Sequence, residues 1–235
     1  GLGDVYKRQT YTITVYQGGT QKTLDTCVSK CADYEQVFSR TSKNSELYQI
    51  NQIEALYLTV VEQAMDLKDS FTKKRSYTKE QCESIVKQIE QKKTKENMVK
   101  YSIRQDGSIT FEISALLERI VKKGLEYSKK SDGRFDIAIE PVSSLWDFTV
   151  KKPTVPDEQK IEKALAYVDY QKIALDDQKL TFQMPGMGID LGGIAKGFIA
   201  DELKAYLEKK GVKSAVIDLG GNCLLYTSPS PRDPK

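Results

Sequence analysis

GMGIDLGGIAKGFIAD, residues 186–201, is the stretch on which the reading of this chain turns. It reads as a short apolar strand, a Gly192-Gly193 turn and a helix with Lys196 in or near its first turn. Glycines let backbone N–H groups approach an anion, a helix N-terminus adds partial positive charge, and a lysine adds a point charge suited to phosphate. The stretch is neither a Walker A loop nor a dinucleotide fingerprint. Taken alone, Gly-Gly before a helix is more often tight packing than phosphate binding.

Downstream, Val216–Leu219 reads as a strand ending in Gly220-Gly221. Upstream, Lys172–Leu175 and Leu180–Met184 read as a hairpin around Asp176–Lys179, preceded by a helix capped by Asp157 and carrying Ile161, Ala164 and Val168. Pro153 and Pro156 mark a linker. Earlier still, Ser114 caps a helix with the stripe Leu117, Ile120, Val121 and Leu125, which Asp132-Gly133 ends, and Ser108–Phe111 is a short strand. Near the start, Thr10–Tyr16 alternates as a half-buried strand. Leu24, Cys27, Val28, Cys31, Tyr34 and Phe38 then recur at helical spacing. Residues 52–100, rich in Lys, Glu and Gln, read as one or two charged helices making an excursion from the core, their charge a solvated face. Helices and strands mix without steady βαβ alternation, which predicts an α+β class.

The 235 residues are enough for one large domain or two small ones. A net charge of +3, with no basic stripe interleaved with aromatics, argues against a nucleic-acid partner. No run approaches the roughly 18 apolar residues of a membrane span. There is no histidine, which excludes His-based triads and His metal sites. Cys27 and Cys31 read as apolar filler on a helix face rather than a disulfide or zinc half-site. Residues 1–9 and 223–235 fit neither pattern and resemble translated sequencing-adapter sequence, the plainer alternative being disordered tails. With those ends set aside, the domain is residues 10–222, and Val216–Leu219 is expected to lie at an exposed sheet edge in a marginal, aggregation-prone fragment.

Two further segments carry chemistry. In SDGRFDIAIEPVSSLWDF, residues 131–148, Asp136 sits among large apolar residues, where an unpaired carboxylate is costly and needs donors from backbone or ligand. The plain reading is an aspartate capping a turn, with Trp146 in the core. In FSRTSKNSELYQIN, residues 38–51, clustered hydroxyls at a helix end could grip a ligand but more usually cap and turn.

The order and spacing of these segments resemble the ApbE family of FAD:protein FMN transferases. That family carries an fS-x5-SEL-x2-lN segment, a T/S-DGxFD-x4-P-l-x2-LWxF segment and a DLGGIAKG-x3-D helix entry, followed by a strand ending in Gly-Gly. The matches here are Phe38–Asn51, Ser131–Phe148, Asp190–Asp201 and Val216–Gly221. The resemblance implies an ApbE-like mixed sheet with packed helices, incomplete at the C-terminus. It also implies FAD as substrate, contacted at Thr41, Arg134, Phe135, Asp136, Asp190 and Lys196. Mg²⁺ would be held in part at Gly193, which offers only its backbone carbonyl. No catalytic side chain is carried over.

The implied reaction moves the FMN half of FAD onto a threonine hydroxyl of a target flavoprotein and releases AMP. The implied location is extracytoplasmic and membrane-anchored, through a segment before Thr10. The chain departs from the family pattern at Ala138 and Glu140, where Thr and Gly are common, and at Thr41, commonly an aromatic stacking residue. The family's principal metal ligands follow the second Gly-Gly, so this fragment is expected to lack them and to be inactive alone. The alternatives are an FAD-binding protein without transferase activity and, more distantly, an interaction protein built around the charged helices.

Overall fold

The computed structural model describes residues 11–64, 76–146 and 154–227. Gly1–Glu35 with Gly192–Lys235 form one compact unit and Gln36–Leu191 a second.

In the first unit, β1 (Tyr11–Gln17), β6 (Ser214–Leu219) and β7 (Cys223–Thr227) form an antiparallel sheet in the order β1-β6-β7. Period-2 alternation puts Ala215, Ile217 and Leu219 on the buried face, with Ile217 opposite Ile13 and Leu224. Helix α7 (Gly192–Lys209) packs on β6 and buries Ala200, Leu203 and Leu207, spaced three and four apart. Helix α1 (Gln21–Phe38), most of which belongs to this unit, buries Cys27, Cys31 and Tyr34.

Two sequence expectations are corrected here. Residues 223–227 are a paired strand rather than tail. Gly220 (φ 62°) and Gly221 (φ 89°) reverse the chain, Asp218 Oδ1 accepts from Gly221 N–H (2.9 Å), and the run Cys-Leu-Leu-Tyr has apolar surface to pair. As a result β6 is the central strand, not an exposed edge. Residues 1–9 and 228–235 lie outside the described residues.

The second unit is built on α2 (Glu46–Ala64), α3 (Lys79–Lys92) and α4 (Ala115–Lys130), the short helices α5 (Glu140–Ser143) and α6 (Glu158–Leu165), and a four-stranded sheet. The sheet runs β2 (Tyr101–Ile103), β3 (Ile109–Glu112), β5 (Lys179–Phe182), β4 (Ile173–Asp176), all antiparallel. The α+β class holds, with the described strands in two antiparallel sheets rather than one mixed sheet. The β4–β5 hairpin turns on Asp177 and Gln178, both at positive φ (41° and 56°), as a two-residue turn requires. Ser114 caps α4 by accepting from Leu117 N–H. Asp157 caps α6, which ends before Val168.

The charged excursion is also corrected. Helix α2 is the core of this unit: Leu47, Ile50, Ile53, Tyr57 and Val60 are fully buried. Its stripe begins before residue 52, so averaging composition over 52–100 hid its period. Helix α3 is the charged one, with only Cys82, Ile85 and Ile89 buried. Residues 65–75 and 147–153, including Phe148 and Pro153, lie outside the described residues.

Candidate functional site

The connection into α2 is shaped by its own hydroxyls. Ser39 Oγ accepts from Ser42 N–H (3.0 Å), the buried Ser45 hydroxyl donates to the Ser39 carbonyl, and Ser45 Oγ accepts from Tyr48 N–H (3.1 Å). Arg40 is presented from this turn. Glu46 then ties the start of α2 to the cap of α4, accepting from both Ser114 N–H (2.6 Å) and Ser114 Oγ (2.5 Å).

One turn further along α2, Asn51 grips residue 189 as a strand would. Its Nδ2 donates to the Ile189 carbonyl (2.9 Å) and its Oδ1 accepts from Ile189 N–H (3.0 Å). Residues 187–191, expected to be a strand, are therefore extended but belong to neither sheet: a side chain supplies the pairing. Glu54, one turn beyond, accepts from Gly186 N–H through Oε2 (3.0 Å), while among the described residues its buried Oε1 has no hydrogen-bond partner. Burial pushes this carboxyl well above the usual carboxylate range, with the Gly186 N–H pulling the other way.

The third segment joins at residue 190, whose N–H donates to the Ile137 carbonyl (2.9 Å). The Asp190 carboxylate lies 3.4 Å from Arg40 Nε and accepts from Ser143 Oγ (2.7 Å). Glu140 packs against Gly188 so closely that a Cβ there would come within 2.5 Å of its Oε2. Burial pushes Glu140 up to about 7, with Arg40 drawing it down and Asp190 pushing it further up. Arg40 thus pairs with Asp190 and acts on Glu140 through its charge alone.

Arg40 and Glu140 open onto a cleft of about 590 Å³ that lies wholly within the second unit, lined also by Tyr48, Lys160, Lys163 and Tyr167. That volume is within the usual range for small-molecule and cofactor sites. Two tyrosines and apolar neighbours such as Leu58 and Met187 suit a flat ring, and three cations suit phosphate.

Of the residues proposed from the sequence, only Asp190 is tied to this cleft wall, through Arg40. Asp136 is occupied by backbone: Oδ1 accepts from Ala138 N–H (2.7 Å), capping the 3₁₀ turn Ile137–Ile139, and Oδ2 from Tyr170 N–H (3.0 Å). Arg134 is exposed just after the left-handed pair Asp132-Gly133, and Phe135 is half-buried, its N–H donating to Ser131 Oγ (3.0 Å). Thr41 is exposed, its N–H donating to Ser39 Oγ (3.3 Å). In the first unit, Gly193 is the exposed second residue of α7, and Lys196 Nζ donates to the Gly220 carbonyl (3.3 Å).

A model of the ApbE family matches residues 59–234. The chain belongs to the ApbE family. Among curated relatives, the FAD:protein FMN transferase of Klebsiella pneumoniae is 42% identical over 93 residues, 39% of this chain and 29% of that protein. The FAD:protein FMN transferase of Haemophilus influenzae is 27% identical over 162 residues, 65% of this chain and 47% of that protein. Over these alignments the chain spans less than half the length of either relative. Among solved structures, the flavin transferase ApbE from Vibrio cholerae superposes with a TM-score of 0.65 at 17% identity, covering 96% of this chain and 58% of that one. The ApbE flavinyl transferase of Pseudomonas stutzeri gives 0.64 at 17% identity. At that identity the likeness speaks for the fold, which is the ApbE fold.

The sequence reading of this ApbE chain missed Arg40, Glu140, Lys160, Lys163 and Tyr167 as cleft residues. Glu140 carried a signal, a carboxylate in the otherwise apolar run Ile137–Val142. The lysines of α6 carried none, because nothing local distinguishes them from solvated surface.

Proposed function

We propose that this chain carries the flavin-binding part of an FAD:protein FMN transferase. The supporting observation is the cleft in the second unit, whose wall draws on Phe38–Asn51, the Ser131 segment and Gly186–Leu191, held together by Asn51 and the Asp190 N–H. In the reaction, the hydroxyl oxygen of an acceptor threonine on a target flavoprotein forms a bond to the FMN phosphorus. The pyrophosphate P–O bond breaks, AMP leaves with the bridging oxygen, and the threonine proton is released. Arg40, Lys160 and Lys163 would offset charge on the pyrophosphate, and Tyr48 and Tyr167 would flank a ring. Thr41, Arg134, Phe135, Asp136 and Lys196 remain proposed contacts on the resemblance.

Mg²⁺ enters on the resemblance alone. Among the described residues no three His, Cys, Asp or Glu side chains group to hold a metal, and Gly193 offers only a helical carbonyl that already accepts one bond within the helix. The described residues do not form a magnesium cage by themselves. Membrane anchoring outside the cytoplasm rests on the same resemblance; among the described residues no helix is long and apolar enough to cross a membrane.

The second reading is an FAD binder without transfer, favoured by a carboxylate, Glu140, on the wall of the cleft where the family commonly has glycine. The test is a fluorescence titration of the folded chain with FAD, with and without Mg²⁺, coupled to chromatographic detection of AMP. Binding with AMP release once a threonine-bearing acceptor flavoprotein is added supports the transferase, and binding without AMP release supports the flavin site that both readings share. A folded chain that leaves FAD fluorescence unchanged at every concentration sinks both.

A further inference from the structure

Arg40 and Glu140 share the wall of the cleft, and Arg40 also pairs with Asp190. Arg40 Nε is 3.4 Å from Asp190 Oδ2, and Asp190 is further held by Ser143 Oγ at 2.7 Å. Glu140 is not held in that way. Its carboxyl lies against Gly188, where a Cβ would crowd it, and among the described residues burial and the charges of Arg40 and Asp190, not a hydrogen bond, act on it. The charges acting on it are Arg40, from the turn before α2, and Asp190, from the extended segment. The other ionisable groups lining the cleft are Tyr48 and Glu62 of α2, Lys160 and Lys163 of α6, and Tyr167 beyond α6. Arg40 therefore has one settled partner and one competing one.

We propose that Glu140 determines which protonation state of this cleft accepts a nucleotide: its carboxylate competes with an incoming phosphate for Arg40, so binding takes up one proton at Glu140. The inference rests on the reading of the cleft as a flavin dinucleotide site. Beside an ionised Glu140, a phosphate at Arg40 would add one more anion to a guanidinium that Asp190 already holds, leaving Lys160 and Lys163 to offset it, whereas a neutral Glu140 relieves that crowding and adds a donor. Burial, outweighing Arg40, already pushes Glu140 up to about 7, so the switch falls near neutral pH. The sign follows: affinity is full below that value and declines above it, by up to tenfold per pH unit where one proton is linked.

The experiment is FAD titration of the whole chain from about pH 6 to about pH 8.5, beside Glu140→Gln and beside riboflavin, which has no phosphate. Expected for the wild type is roughly tenfold weaker FAD binding at the alkaline end, from the one-proton linkage. Glu140→Gln should hold the acid-side affinity throughout, and riboflavin should show no slope. Calorimetry in two buffers of different ionisation enthalpy reads the proton uptake in the wild type without any variant. FAD binding with a flat pH profile and no proton uptake overturns this inference and leaves the flavin reading standing. A slope that survives in Glu140→Gln overturns it too. A folded chain that fails to bind FAD even near pH 6 overturns the flavin reading, and this inference with it.

Discussion

Gly186–Leu191 and Gly192–Lys196 are adjacent in one motif, yet the first half is largely buried and the second is partly exposed at the start of a helix. In the first half Met187, Ile189 and Leu191 are buried, and residues 186, 189 and 190 give their N–H groups to Glu54, Asn51 and the Ile137 carbonyl. In the second half Gly192 and Gly193 are exposed, and Lys196 makes one long bond to the Gly220 carbonyl. The glycines differ accordingly: Gly186 and Gly188 are required by neighbours, whereas a Cβ at Gly197 would meet nothing within 4 Å. A conserved-looking string of glycines can thus hold two physical roles, placement of a segment and access to a helix start.

The sharpest break of that contrast is Asn51→Ala. It leaves a buried N–H and a buried C=O on Ile189 without partners, at about 1–3 kcal/mol each. The expected loss is about 3 kcal/mol in denaturant unfolding, the largest of this set. A loss below about 1 kcal/mol would mean that packing of Ile189 and Leu191, not the side-chain pairing, holds the segment.

Next is Gly186→Ala. At φ +86° a Cβ would be strained, and it would stand 2.8 Å from Leu58 Cδ2 and 2.9 Å from Tyr167 Cε1. Left-handed strain and overpacking together predict a loss of about 2 kcal/mol. Because Leu58 and Tyr167 line the cleft, FAD affinity should fall with it. Unchanged stability would show that both side chains swing aside, and the tied half would then be less rigid than its hydrogen bonds imply.

What the sequence disclosed follows the range of the interactions involved. Elements set by local pattern were legible: the α1 stripe, the Ser114 cap and the β4–β5 hairpin each depend on residues within a few positions of one another. The α2 core stripe was hidden because Ile53 and Tyr57 are diluted by charged residues in the window that follows them. The extended segment at 187–191 was legible as apolar and extended but not as unpaired with strands, since its partner is the Asn51 side chain, 138 residues away. Of the candidate site, Asp190 was legible through its motif. Arg40 and Glu140 come onto one cleft only when the Ser39 turn and α5 meet, and no spacing in the sequence encodes that meeting.

The smallest expected effect tests the open half. Gly197 lies inside α7 at an ordinary helical φ with free space where a Cβ would go. Replacing it with alanine removes the backbone entropy that a mid-helix glycine costs, a gain of roughly 0.5–1 kcal/mol. A loss instead would mean that the helix start is covered in solution. FAD affinity measured on the same variant separates two reasons for a glycine at this position. If stability rises and affinity holds, Gly197 is a tolerated weakness in the helix. If stability rises while affinity falls, Gly197 is kept for a reason other than the stability of α7.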